Sequence, residues 1–331
     1  MKSLKIIAFW PVIFVAPTAL NAQESCNLPD TRMFNARSGD VELHASVAEE
    51  HPAFLYTTKM GVNTDGTAKS YHPDDPMAES IAYNNIGNAI KRAWNAEGNR
   101  INCDYDPDRK RYDARLRKGA CYMEYIHAFE GARDYNYDPR KYPKVEFGDI
   151  LSKNDRLGWR APCTNQSKEA KGFFISQTAL AMDKLADDCD PDKWVDSMTV
   201  NGVVYPEGAN LAAQGVVTDI GDLVVLHDRE TDHLSYAVHG DIGPEDDIGE
   251  GTIALAAELG GNPVDPDATY SSIKRLQRPA VDYLVFPADD VVREYGPKHR
   301  VGQADIESFG REVFESWGGI ERLRACIAEF G

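Results

Sequence analysis

Apolar residues along this 331-residue chain fall mainly in short runs, each closed by Gly, Asp or Pro. Gly202 to Pro206, Asp222 to Leu226 and Ser235 to Val238 are three such runs, rich in Val, Leu and Tyr, and they read as buried strands. Cys121 to Phe129, Gly172 to Thr178 and Val281 to Pro287 have the same character and add three more. Helical spacing is rarer. Residues 79–95 place Ile81, Ile86, Ala89, Ile90 and Ala93 near one face, and Ile253 to Leu259 reads as a short helix. Asp305 to Phe330 carries Ile306, Phe309, Val313, Phe314 and Trp317, an amphipathic pattern suited to covering a core. The stretches 97–119 and 130–170 are polar and rich in turn residues, and predict irregular loops. The sum is an α+β chain with a β-rich core decorated by helices. Short strands between turns allow either a sandwich or a barrel.

The most informative segment lies between the strand ending near Val238 and the helix at Ile253. It reads His239-Gly240-Asp241-Ile242-Gly243-Pro244-Glu245-Asp246-Asp247-Ile248-Gly249-Glu250-Gly251-Thr252. Asp241 stands where a strand ends, and Glu250 stands just before the next element. Carboxyl groups held on rigid element ends suit the cleavage of a glycosidic bond. One must be protonated to give its proton to the leaving oxygen, and one ionised to activate water or attack the sugar. A solvated acidic turn has the same composition. Glu245, Asp246 and Asp247 would raise the proton affinity of neighbouring carboxyls if they lie close to them.

Three blocks resemble glycoside hydrolase family 75, the endo-chitosanases. The first is Gly240-Asp241 followed by Ile248-Gly249-Glu250-Gly251-Thr252-Ile253-Ala254-Leu255-Ala256, similar to the family's Gly-Asp, variable loop, Gly-Glu and helix. The second is Phe54-Leu55-Tyr56-Thr57-Thr58-Lys59-Met60-Gly61-Val62-Asn63-Thr64-Asp65-Gly66, similar to its Lys-Met strand and Asp-Gly turn. The third is Val203-Val204-Tyr205-Pro206-Glu207 with Asp219-Ile220-Gly221-Asp222-Leu223-Val224-Val225. The matched blocks span roughly 54–76 and 172–260. The resemblance implies a small closed or nearly closed β-barrel. It also implies inverting hydrolysis of β-1,4-linked glucosamine polymer, with acid and base on Asp241 and Glu250. Spacing does not distinguish the two roles; the reading leans to Asp241 as base and Glu250 as acid. Two departures bear on the substrate. Residues 77–170 form an insertion longer than the family's usual connection, and positions 61 and 63 hold Gly and Asn where many members have aspartate.

Residues 1–22 read as a secretory leader, with Lys2 and Lys5, an apolar run from Ile6 to Val15, and Leu20-Asn21-Ala22 before the cut. The expected organisation is therefore a leader at 1–22 and a single family 75-like domain over 23–331. Export, extracellular or periplasmic, suits the six cysteines, an even number that favours disulfides. Six allow fifteen connectivities; Cys103 with Cys121, around a polar turn-rich loop, is the one pairing we single out. Acidic residues outnumber Lys plus Arg by 53 to 36, and losing Lys2 and Lys5 takes the formal net charge from −17 to −19. Such a balance excludes a basic nucleic-acid footprint. It suits a cationic partner such as protonated chitosan, whose encounter a negative field speeds. No apolar run reaches the ~20 residues of a membrane span.

Asp65, in its Asp-Gly turn, is a candidate subsite carboxylate for a glucosamine ammonium, although Asp-Gly is also a common turn pair. Lys59, His72 and Asp75 are further candidates for binding substrate. The His72, Asp74 and Asp75 cluster matches no metal motif, no cysteine pair has zinc spacing, and no cofactor is expected. Tyr122, Tyr125, Tyr135, Tyr137 and Tyr142 are as consistent with local packing as with stacking on sugars, and His127 reads as an interior residue. Two other classes of function share these features: a non-catalytic glycan- or protein-binding barrel, and a hydrolase of another polysaccharide such as peptidoglycan.

Overall fold

Side chains alternate across a strand, and a strand buried on both faces must be apolar at nearly every position. The runs at 222–226 and 235–238 obey that rule because one face fills a barrel and the other is covered by helices. The computed structural model describes residues 25–46, 49–206 and 215–330; the leader expected at 1–22 and Glu207 lie outside them. The chain opens with β1 (Asp30–Ala36), β2 (Gly39–Ser46) and β3 (Ala53–Asn63). A long excursion follows, with β4 (Ile90–Ala93), β5 (Tyr105–Asp106), β6 (Arg111–Tyr112), α1 (Ala120–Arg133), β7 (Val145–Phe147), β8 (Lys153–Asn154) and β9 (Ala161–Pro162). Then come β10 (Gly202–Pro206), β11 (Asp222–Asp228), β12 (His233–Gly243), β13 (Glu250–Thr252), α2 (Ile253–Leu259) and α3 (Tyr270–Lys274). The chain finishes with β14 (Arg278–Asp290), α4 (Val291–Tyr295), α5 (Gln303–Trp317) and α6 (Gly319–Phe330).

Six strands close on themselves in the order β3-β13-β10-β12-β11-β14, with β14 returning to β3 and the β1–β2 hairpin attached beside β3. The fold is α+β with a closed barrel at its centre. Phe54, Tyr56, Val203, Tyr205, Val224, Leu226, Ala237, Tyr283 and Val285 point inward. Among them, the Tyr56 hydroxyl donates to Tyr205 at 3.0 Å, and Tyr56 stacks on Tyr283 with centroids 4.8 Å apart. The alternate residues Leu55, Leu223, Val225, Tyr236, Val238, Leu284 and Phe286 point outward under Ile306, Val313, Phe314, Trp317 and Leu323 of α5 and α6.

The sequence expectation of one helix over 305–330 is corrected to two. Gly318 and Gly319 take φ of +124° and +61°, a conformation that ends α5 and reorients the chain. The excursion has its own apolar core, built from Tyr71, Ile86, Ala89, Ile90, Tyr125, Ile126, Phe129, Leu151 and Phe174. Three local readings change there. Residues 79–95 are not one α-helix: the Asp75 carboxylate accepts from the N–H groups of Glu79, Ser80, Ile81 and Ala82, a single 3-10 turn spans Ile86–Ala89, and Ile90–Ala93 pairs with β7. Residues 121–129 form α1 instead of a strand, which leaves His127 exposed and not interior. Residues 172–178 are buried and extended but make only isolated bridges, such as Tyr71 to Phe174.

The cysteines form three disulfides, Cys103–Cys121 as expected, together with Cys26–Cys326 and Cys163–Cys189. Among the described residues, no helix is long and apolar enough to cross a membrane.

Candidate active site

Strict alternation along β12 would turn Asp241 into the barrel, since Ala237 and His239 face inward. A bulge prevents this. Val203 pairs with His239 but Val204 pairs with Asp241, so Gly240 is the extra residue and Asp241 turns outward. On the other side of β10, Val204 also pairs with Glu250 of β13. Asp241, Val204 and Glu250 therefore form one row across three strands, on one face of the sheet. Two strand spacings put the Asp241 and Glu250 Cα atoms about 10 Å apart.

Glycines on both sides of Glu250 keep it there. Gly249 takes φ +91°, and a Cβ on it would lie 2.4 Å from the Lys59 carbonyl oxygen. A Cβ on Gly251 would lie 2.7 Å from the Met60 sulfur, inside the barrel. Gly61 pairs with Glu250 on its other flank, and a Cβ on it would touch Glu250 Cγ at 3.6 Å.

The row borders a groove of about 580 Å³ lined by Asn63, Asp65 and Glu250, by Tyr83 and Asn84, by Arg111 to Arg115, and by Tyr270 and Lys274. Asp241 lies beside it, behind the groove-lining Asn63. Its Oδ1 accepts from the N–H groups of Ala179 at 2.9 Å and Ile242 at 3.0 Å, and its Oδ2 from Asn63 Nδ2 at 3.3 Å. Glu250 meets no hydrogen-bond donor among the described residues. Asp65 is held by the Tyr71 hydroxyl at 2.7 Å and by Ser176, and Asn84 in turn donates to Tyr71 at 3.0 Å.

All three carboxyls bind protons more tightly than usual. Desolvation, then the charge of Asp65, pushes Asp241 up to about 7 despite its donors. Desolvation, then Asp247, pushes Glu250 up to about 6, while Lys274 and Arg115 oppose the rise. Asp65 is raised by desolvation against the bonds from Tyr71 and Ser176. Because Asp65 acts on both neighbours, a proton taken by Asp65 lowers the proton affinity of each.

The acidic loop is not a set of free charges. Asp246 is buried and is met by Arg37, Arg109, Arg111 and Arg115, Glu245 pairs with Arg111, and Asp247 with Arg115. Asp247 still raises Glu250, as the sequence reading anticipated, but Asp246 instead ties the 105–115 segment onto the loop between the two carboxyls.

Three other candidates lie away from the groove lining. Lys59 is exposed on β3. The His72 ring packs edge-on against Phe173 at 4.6 Å and accepts from the Asp74 N–H. Burial alone would raise Asp75, yet its four backbone donors bring it down to about 2, so its charge serves the loop. Among the described residues, no group of three His, Cys, Asp or Glu side chains is placed to hold a metal. Of the tyrosines singled out in the sequence, Tyr125 is buried and Tyr137 packs on Phe147 and Phe174. The aromatic rings that do face the groove, Tyr83, Tyr112 and Tyr270, come from three distant segments, and their local sequence carries no signal of it. No protein-family model matches this chain, and no curated protein does.

Proposed function

We propose that the chain is a secreted, endo-acting glycoside hydrolase that cleaves β-1,4-linked glucosamine polymer with inversion. The observation that carries this reading is the row Asp241–Val204–Glu250 at the edge of the groove. Inversion needs two carboxyl groups roughly 6.5–9.5 Å apart, with room for a water between one of them and the sugar. Side chains rising from Cα atoms about 10 Å apart on one sheet face can meet that requirement.

Hydrogen bonding supports the division of labour. Asp241 is met by three donors and suits the ionised role, accepting a proton from the attacking water. Desolvation favours a proton on both carboxyls, and more on Asp241, so the assignment rests on the donors alone: Glu250, with none among the described residues, takes the protonated role and gives its proton to the leaving oxygen. Tyr112 and Tyr270 offer exposed ring surface to sugars, and the carboxyl of Asp65 suits a cationic amine. The disulfides agree with an exported protein.

One observation favours a second polymer. Arg111, Arg115 and Lys274 also line the groove, which suits a glycan bearing carboxylates, such as peptidoglycan. The two arginines are neutralised by the acidic loop, so the glucosamine polymer is the first reading. A panel of chitosan, chitin and peptidoglycan distinguishes them. The reading expects internal cleavage of chitosan, with short oligomers from the first minutes and α-anomers in fresh digests. Cleavage of peptidoglycan alone would transfer the same acid and base to the second reading. Binding without cleavage of any of the three would point to a non-catalytic barrel.

A further inference from the structure

Asn63 ends β3, lines the groove, and has both ends of its amide occupied. Its Oδ1 accepts from the Asp65 N–H at 2.7 Å, and its Nδ2 donates to Asp241 Oδ2 at 3.3 Å. The first bond decides the second. An N–H can only donate, and that of Asp65 has no other acceptor among the described residues, so the amide oxygen must face it. The nitrogen then faces Asp241 and cannot be exchanged for the oxygen by a flip of the amide. Asp241 Oδ1 is already taken by two backbone donors. The carboxylate is thus clamped through both oxygens, and the second lone pair of Oδ2 is the place left to take a proton.

We propose that Asn63 is the positioning residue of this site, its pinned amide fixing the orientation of the Asp241 carboxylate at the edge of the groove. The role rests on the general-base reading of Asp241 given above. The titratable groups facing Asp241 are Asp65 from the turn after β3, and the neutral Tyr71 hydroxyl beyond it. Lys274, Arg115 and Asp247 act on Glu250. Among these side chains, Asn63 is the one that donates to Asp241 directly.

The test uses two substitutions that keep an acceptor for the Asp65 N–H and so preserve the turn. Asn63→Asp replaces the donor by a negative oxygen, and Asn63→Ser removes the donor without adding charge. Carboxyl-carbon NMR titration of the whole protein, without substrate, reads the Asp241 midpoint directly. Asn63→Ser should raise it by about one pH unit, the scale of one hydrogen bond to a charged acceptor. Asn63→Asp should raise it further. In kcat/KM on chitosan, the limb that reports the free enzyme's base should move by the same amount. An Asp241 midpoint unmoved in both variants overturns the role of Asn63. If the midpoint moves but no glycan is cleaved by the parent, the hold of Asn63 on Asp241 stands and the hydrolase reading fails.

Discussion

Removing the charge of Asp246 should loosen the wall of the groove before it touches the chemistry. Asp246 has a side chain 11% exposed and meets four guanidinium groups. Arg37 and Arg111 are the more sheltered partners, at 27% and 21% exposure. Arg109 and Arg115 are more open, at 43% and 38%, and pairs that exposed contribute little, under about 1 kcal/mol each. A hydrogen bond to a charged group contributes about 1.5–3 kcal/mol. Discounting for partial exposure and for the acids Glu245, Asp113 and Asp247 that remain, Asp246→Asn should cost about 2–3 kcal/mol. For a chain of this size that is a fall in Tm of about 5 °C. Thermal unfolding measures it, and hydrogen exchange locates it: amides of 105–117 and 243–249 should lose protection first. A Tm within about 1 °C of the parent would refute the reasoning, since a broken buried pair cannot be that cheap. Loss of protection confined to α5 and α6 would refute the location.

Three further outcomes follow from other parts of the molecule. His227 is buried between Asp282 at 3.0 Å and Asp232 at 2.8 Å, and these bonds, Asp282 first, raise its proton affinity. Its stabilising effect is then complete below the ordinary histidine value of 6.5 and is lost as pH rises through the raised folded value, so the Tm gap between parent and His227→Gln should narrow from pH 6 to pH 9; a gap that widens would contradict it. Cys26–Cys326 closes a separation of 300 residues, and replacing both by Ala should cost about 2–5 kcal/mol in denaturant unfolding, against little change if the termini are held by packing alone. If the acidic surface steers a cationic polymer, the second-order rate on chitosan should fall as ionic strength rises above ~0.1 M, whereas a flat rate would assign the charge to solubility.

The barrel strands were legible in the sequence because burial on both faces writes itself as short apolar runs. The row of Asp241 and Glu250 was legible only in part. Spacing put both on element ends, but the bulge at Gly240 that turns Asp241 outward depends on its partner strand β10, some forty residues away. The excursion misled for a related reason. Tyr122, Tyr125, Ile126 and Phe129 have strand-like composition, yet Tyr125, Ile126, Ala128, Phe129 and Ala132 are the buried face of a helix packed on Ile86 and Ile90. Residues 79–95 have helical spacing, but Asp75 collects the N–H groups a first helical turn would present, and β7 claims Ile90–Ala93. In both places a long-range partner outweighed local preference. The acidic loop misled through its pairs: nothing near 245–247 announces that arginines at 37, 109, 111 and 115 will converge on it. The Gly318-Gly319 break between α5 and α6, in contrast, stands in the sequence as a glycine pair.

The central claim is that Asp241 and Glu250 act as base and acid on a glycosidic bond. Reducing-end release from chitosan by the parent, Asp241→Asn and Glu250→Gln tests it most directly, with circular dichroism to show that each variant is folded. Both substitutions keep size and shape, so the fold should persist while the rate falls by about 10²–10⁴-fold in each. Near-parental rates from both folded variants, on a substrate the parent cleaves, would contradict the account.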